Sequence, residues 1–256
     1  MFTHVYPSFA KGRILKKEML ENIRDYPRTF FDIQYESYSD GIIAGANVQV
    51  GDDHLTITRG IVKHKGRMYM LESEYSLPYY AIGTETVLKI RFIEEVVSPD
   101  FISYSTEIVL DDQLQIQHDE RELGRFKLKK GARLRATYQD FDDFATEYNT
   151  INLIHVEHAS FGNSTLSPVM LRYFATDMLK SGSSDPYDIS FAMQCMKGET
   201  INRELLLHYL AIRMGIDYTD YSNVQIHKYL AYILADTKGG RRTKRVGGVP
   251  QRIIID

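Results

Sequence analysis

The sequence predicts an α+β fold: an N-terminal helix and an antiparallel β-sandwich or barrel, followed by a C-terminal helical bundle and an extended basic tail. Three observations predict it. From residue 38 to 71, glycines recur between short runs that alternate apolar and polar at period two, the pattern of half-buried strands. After Ser167 the apolar period lengthens to that of helices, with cap residues at their starts. The final stretch DTKGGRRTKRVGGVPQRIIID carries glycine pairs, a proline and clustered basic residues, too little apolar surface for a core of its own.

The elements follow in order. Residues Gly12 to Tyr26 read as a short amphipathic helix with Leu15, Met19, Leu20 and Ile23 at helical spacing, closed by Pro27. Strands are expected at Phe30 to Tyr35 and then between Gly41, Gly45, Gly51, Gly60 and Gly66, where Val48 with Val50, Leu55 with Ile57, and Met68 with Met70 each share one face. From Thr86 the strands lengthen. Leu88, Ile90 and Phe92 take one face while Lys89 and Arg91 take the other, and Ile102, Tyr104, Thr106, Ile108 and Leu110 alternate likewise, with Leu114 and Ile116 continuing the meander. This gives a β-rich domain over residues 1–138.

Residues 139–237 read as a mainly helical domain. It opens with a short acidic helix at YQDFDDFATEYNT and an apolar strand at INLIHVEHASF. Ser167 and Pro168 start one helix, Asp185 and Pro186 a second. A third runs from about Thr200 to Met214 and stops at Gly215, and a fourth starts at Ser222, where Gln225 completes a capping box. Residues 238–256 form the basic tail.

The glycine-spaced module resembles the β-modules of phage baseplate and tail-fibre attachment proteins and of related phage-tail-like particles, through Gly41, Gly45, Val48, Leu55, Ile57, Gly60, Ile61, Gly66 and Tyr69. The resemblance covers about a quarter of the chain. It implies a non-enzymatic structural subunit of a baseplate, without cofactor, that docks other baseplate or tail subunits in many copies, or a fibre protein. Such a subunit is assembled in the bacterial cytoplasm and ends in a virion or tail-like particle.

Composition bounds the alternatives. The 256 residues suffice for a core without disulfide or metal staples. With 31 basic against 34 acidic side chains the formal charge is −3, which argues against a protein that coats nucleic acid over its whole surface. The single cysteine, Cys195, excludes an internal disulfide, and its neighbours Met193 and Met196 mark it as a buried, inert thiol. No segment reaches the roughly 20 apolar residues of a membrane span, and the N-terminus has no continuous apolar signal core, so a soluble, unexported chain is expected. Eighteen tyrosines and twelve phenylalanines suit partly wet interfaces.

The chemistry-bearing residues assemble into no recognised motif. His155 and His158 point to opposite faces of a strand and lack a third ligand on a helix. Asp140, Asp142 and Asp143 lack the glycine and glutamate of a calcium loop and read as the solvated start of a helix. Glu94 and Glu95 are adjacent, hence on opposite strand faces. Phosphate-binding glycine loops and a nucleophile elbow are absent, so no catalytic, cofactor-binding or metal residue is assigned.

The tail supplies the candidate interface: Lys238, Arg241, Arg242, Lys244 and Arg245, then Arg252, Ile253, Ile254 and Ile255. Fully extended, residues beyond Thr237 reach roughly 60 Å at about 3.3 Å each. One reading is an assembly arm whose arginines pair with a neighbour's acids and whose isoleucines add a strand to its sheet. Another is packing on its own domain. The alternative function is a nucleic-acid-associated protein using the basic patch, although no aromatic interleaves it to stack on bases.

Overall fold

The computed structural model describes residues 1–239. These residues mix helices with antiparallel strands, one helix preceding the run of strands and four following it. α1 (Lys17–Gln34) is followed by β1 (Gly41–Gly45), β2 (Val48–Val50), β3 (His54–Ile57), β4 (Gly60–His64), β5 (Arg67–Leu71), β6 (Tyr75–Pro78) and β7 (Glu85–Phe92). Then come β8 (Val96–Val97), β9 (Ile102–Ser103), β10 (Thr106–Asp111) and β11 (Glu120–Lys127). A 3-10 turn at Asp142–Ala145 leads to α2 (Pro168–Lys180), α3 (Pro186–Cys195), α4 (Arg203–Met214) and α5 (Asn223–Lys238).

The strands form three three-stranded antiparallel sheets, ordered β1-β4-β5, β2-β3-β6 and β10-β7-β11, with β8-β9 as a small ribbon. Among the described residues they do not close into a barrel. Their inward side chains meet in one apolar cluster: Leu55 and Ile57 from β3, Leu88 and Ile90 from β7, Leu123 and Phe126 from β11, and Ile151 and Val156 from the segment that follows. The β1–β4 pair approaches closely. A Cβ on Gly45 would lie 1.9 Å from the Arg59 carbonyl oxygen, and one on Gly60 would lie 2.3 Å from the Ala46 nitrogen, so both positions require glycine.

A second cluster gathers Phe141, Phe144 and Leu166 with Phe174, Phe191, Leu206, Leu210, Ile226 and Leu230 of the helices. Leu153 packs against both clusters. Two of the three expected caps form: Asp185 accepts from the Tyr187 N–H at 2.8 Å, and Ser222 with Gln225 forms a complete capping box, while α4, expected from about Thr200, is capped by Asn202, which accepts the Glu204 N–H at 2.9 Å. Ser167 precedes α2 without a side-chain cap.

Several expectations need correction. α1 runs through Pro27 to Gln34, so Phe30 to Tyr35 is not a strand. Pro27 deprives the Ile23 carbonyl of its partner and crowds it with the ring, and on a helix that buries nothing the carbonyl can tilt outward to water. Met68 and Met70 share one face of β5 as expected, and it is the face turned from the core, while Tyr69 and Leu71 pack against the core. Leu114 and Ile116 lie between β10 and β11 in irregular chain. Residues 151–161 make no continuous strand; isolated bridges join Asn152 to Arg125, His158 to Ile42 and Thr165, and Phe161 to Tyr38. Lys89 shares the outer face of β7 with Arg91 but is fully buried there.

Candidate assembly interface

α1 is an 18-residue helix without one buried residue. Its apolar side chains Met19, Ile23, Tyr26, Phe30 and Ile33 step alternately by four and three, the 3.5-residue spacing that keeps a seam on one side of a helix. Ile23, Phe30 and Ile33 are 49, 60 and 68 % exposed. The charged residues Lys17, Glu18, Glu21, Arg24, Asp25, Arg28 and Asp32 all fall elsewhere around the helix. The positions flanking the seam are Leu20, Asn22, Pro27, Thr29 and Gln34, none of them charged.

The helix is tied down at its C-terminal end. The buried Lys63 of β4 donates from Nζ to the carbonyls of Tyr35 and Tyr38, both at 2.6 Å, and of Glu36 at 3.3 Å. An ammonium placed there answers both the open carbonyls and the negative end of the helix dipole. Beyond this anchor, Arg28, Phe31, Asp32 and Tyr35 face β4 and β5 across a cleft of about 590 Å³, walled opposite by Arg67, Tyr69 and Tyr104. Arg67 stacks its guanidinium 4.1 Å from the centre of the Tyr104 ring. At 100° per residue, the cleft-facing residues and the apolar seam lie on opposite sides of α1.

Residues 1–16 extend this open surface with exposed Phe2, Val5, Tyr6 and Phe9. They touch α1 where His4 Nδ1 meets the Tyr26 hydroxyl at 3.2 Å. A second apolar projection is the β8–β9 ribbon, whose tip exposes Val96, Val97, Phe101 and Ile102 and is pinned by Ser98, which receives the Phe101 N–H at 3.0 Å on its Oγ.

Of the residues expected at the interface, Lys238 ends α5 with Nζ 3.8 Å from Asp177 Oδ2. Arg241, Arg242, Lys244, Arg245, Arg252, Ile253, Ile254 and Ile255 lie outside the described residues. No protein-family model and no curated protein matches the chain. A chain of the TssK-TssF-TssG subcomplex of the type VI secretion baseplate superposes with a TM-score of 0.41 at 8% identity, over 91% of this chain and 99% of that one. The crystal structure of TssK gives 0.40 at 9% identity, over 93% of this chain and 70% of that one. At these scores the likeness fixes neither a shared fold nor a shared role.

Of the titratable groups considered from sequence, Asp143 is held by an ion pair, and His155, His158 and Cys195 are shifted chiefly by burial. Asp143 takes both Arg135 amino groups at 2.6 Å, which, against the opposing effect of burial, holds its carboxyl far below the usual range with help from the Gln139 N–H and the Thr146 hydroxyl. Burial pushes His158 down to about 4, lowers His155, and raises the Cys195 thiol to about 12. Among the described residues no group of three or more His, Cys, Asp or Glu could hold a metal ion, and no helix is long and apolar enough to cross a membrane.

Sequence reading missed Lys63 and the length of the seam. The signal for the seam was present, since the four-three spacing continues through Tyr26, Phe30 and Ile33, but Pro27 masked it. Nothing local marks Lys63, whose partners lie 25 to 28 residues earlier in the chain.

Proposed function

We propose that this chain is a non-enzymatic structural subunit of a phage or phage-tail-like baseplate that docks neighbouring subunits or a fibre. The observation that carries the reading is α1 with its preceding arm, a contiguous apolar surface that an isolated soluble chain has no reason to leave in water. The glycine-spaced module over residues 38–71, with its resemblance to baseplate and tail-fibre attachment modules, supports this class of particle. The mechanism is geometric: a rigid β part holds position while terminal segments lock onto neighbours. The basic cluster from Lys238 to Arg245 and the Arg252 to Ile255 stretch serve as a second arm. Repetition around a ring makes each modest contact effective, because tethered contacts act at high local concentration.

The test is sedimentation of large particles from a lysate of the source cells, followed by mass spectrometry. The chain is expected at fixed stoichiometry with tail sheath and tube proteins. Its confinement to the low-mass fraction while assembled particles are present would sink the reading.

A further inference from the structure

We propose that His64 is an acid-sensitive latch: protonating its imidazole releases the end of the β4–β5 hairpin from Asp40 and loosens the mount that Lys63, its neighbour on β4, provides for α1. This goes beyond the assembly reading and does not rest on it. His64 is the last residue of β4 and is 2 % exposed, its ring lying flat on Phe92 of β7 with centres 3.9 Å apart. Nearly all buried polar atoms of a folded chain are paired, yet both ring nitrogens of His64 are buried with no hydrogen-bond partner among the described residues.

The surroundings decide what a proton does there. Asp40 Oδ2 stands 3.7 Å from Nδ1, beyond hydrogen-bond reach, and already accepts the Lys65 backbone N–H and Arg121 Nη2, both at 3.1 Å. Those two bonds tie the hairpin turn and β11 to the segment between α1 and β1. An imidazolium has two N–H donors. One would compete with Lys65 and Arg121 for a single carboxylate oxygen, and the other has no acceptor without movement of the hairpin end. Burial is the main influence holding the His64 pKa below its ordinary 6.5; Arg121 and Lys65 add to it, against Asp40 and, more weakly, Asp119. Glu94, His118 and Tyr69 line the cleft that His64 also lines, as do Arg67 and Glu95, which are engaged with the Tyr104 ring and hydroxyl.

A ring that takes its proton readily only when the hairpin end opens makes that opening depend on pH. The closed form binds fewer protons than the open one. Its advantage is therefore complete above the ordinary 6.5 and is lost as pH falls below it, by up to about tenfold per pH unit in the opening equilibrium, until the closed ring titrates too. Opening at this point reaches α1, because Lys63 holds the Tyr35, Glu36 and Tyr38 carbonyls from the adjacent position on β4, and Asp40 belongs to the same linking segment.

The experiment follows amide hydrogen exchange of the purified full chain between about pH 7.5 and about pH 5, corrected for the pH dependence of the chemical step. Exchange over residues 35–40 and 60–71 is expected to speed up by as much as about tenfold per unit below pH 6.5, while α4 and α5 keep their rates. His64→Phe retains an aromatic ring on Phe92 and has no proton to take, so it is expected to remove this acceleration. The buried His155, His158 and His227 remain in that variant, so an acid effect of theirs would appear in both chains. An acceleration of equal size in both chains, or none in the wild type, overturns the proposal. Should His64→Phe fail to fold, the wild-type ring followed by NMR decides. A His64 titrating at or above 6.5 overturns the proposal, and one titrating below it, with faster exchange confined to these two segments, supports it.

Discussion

Lys89 and Arg91 stand on the same face of β7 and hold the same two carboxylates, yet burial gives them different weight. Lys89 is fully buried and donates to Asp111 at 3.3 Å, Glu120 at 3.2 Å and the Gln115 carbonyl at 3.2 Å. Arg91 binds Glu120 and Asp111 with 40 % of its side chain exposed. Burial of Glu120 works to raise its carboxyl, but the Gln117 N–H, Arg91 and Lys89 together outweigh it and hold it below the ordinary value. Lys89→Ala strips a buried carboxylate of one cation and is expected to cost about 3–5 kcal/mol in urea unfolding, with Arg91→Ala costing a small fraction of that. Equal losses would place the weight on charge count rather than burial. Asp143 gives the pH counterpart. Its native carboxyl lies below its unfolded value of about 3.8, so its contribution is complete above that pH and declines as pH falls toward the native value. Asp143→Asn is expected to cost about 1–2 kcal/mol at pH 7, discounted for the exposure of Arg135. The gap from wild type should narrow steadily below about pH 4.

At the scale of elements, two glycines separate close approach from simple turn geometry. Gly45→Ala drives a methyl group into the Arg59 carbonyl and should unpair β1 from β4, at a cost of several kcal/mol that denaturant unfolding would register. Gly66, in the β4–β5 turn, has φ 73° with open space around its Cβ position, so Gly66→Ala is expected to cost only about 1 kcal/mol. A comparable loss at both positions would refute the packing argument. The same contrast explains what the sequence could and could not reveal. Caps act within a few residues, so Asp185, Ser222 and Gln225 announced their helices correctly. The alternation of Leu88, Ile90 and Phe92 identified β7 and its inner face. Burial of Lys89 was illegible because its partners Asp111 and Glu120 arrive from other strands. The helix of residues 27–34 was lost because the local rule for proline was applied where exposure relaxes it. For Met68 and Met70, period two fixed which residues share a face but not which face turns inward.

For the whole molecule, the two apolar clusters include no residue of α1 or of the arm before it. Removing residues 1–30 leaves Tyr35, Glu36 and Tyr38 on Lys63, so the truncated chain is expected to unfold within about 2 °C of the full chain while losing its place in sedimenting particles. A large drop in the unfolding temperature would mean that α1 belongs to the core. The Lys63 anchor also has a consequence in time. Translation finishes α1 at Gln34 before it has made Lys63 or the strand that carries it. At about 5–20 residues per second the gap lasts on the order of seconds, longer than a helix takes to form. During that interval α1 has no sheet to hold it, and its apolar stripe emerges beside those of chains growing on neighbouring ribosomes of the same messenger.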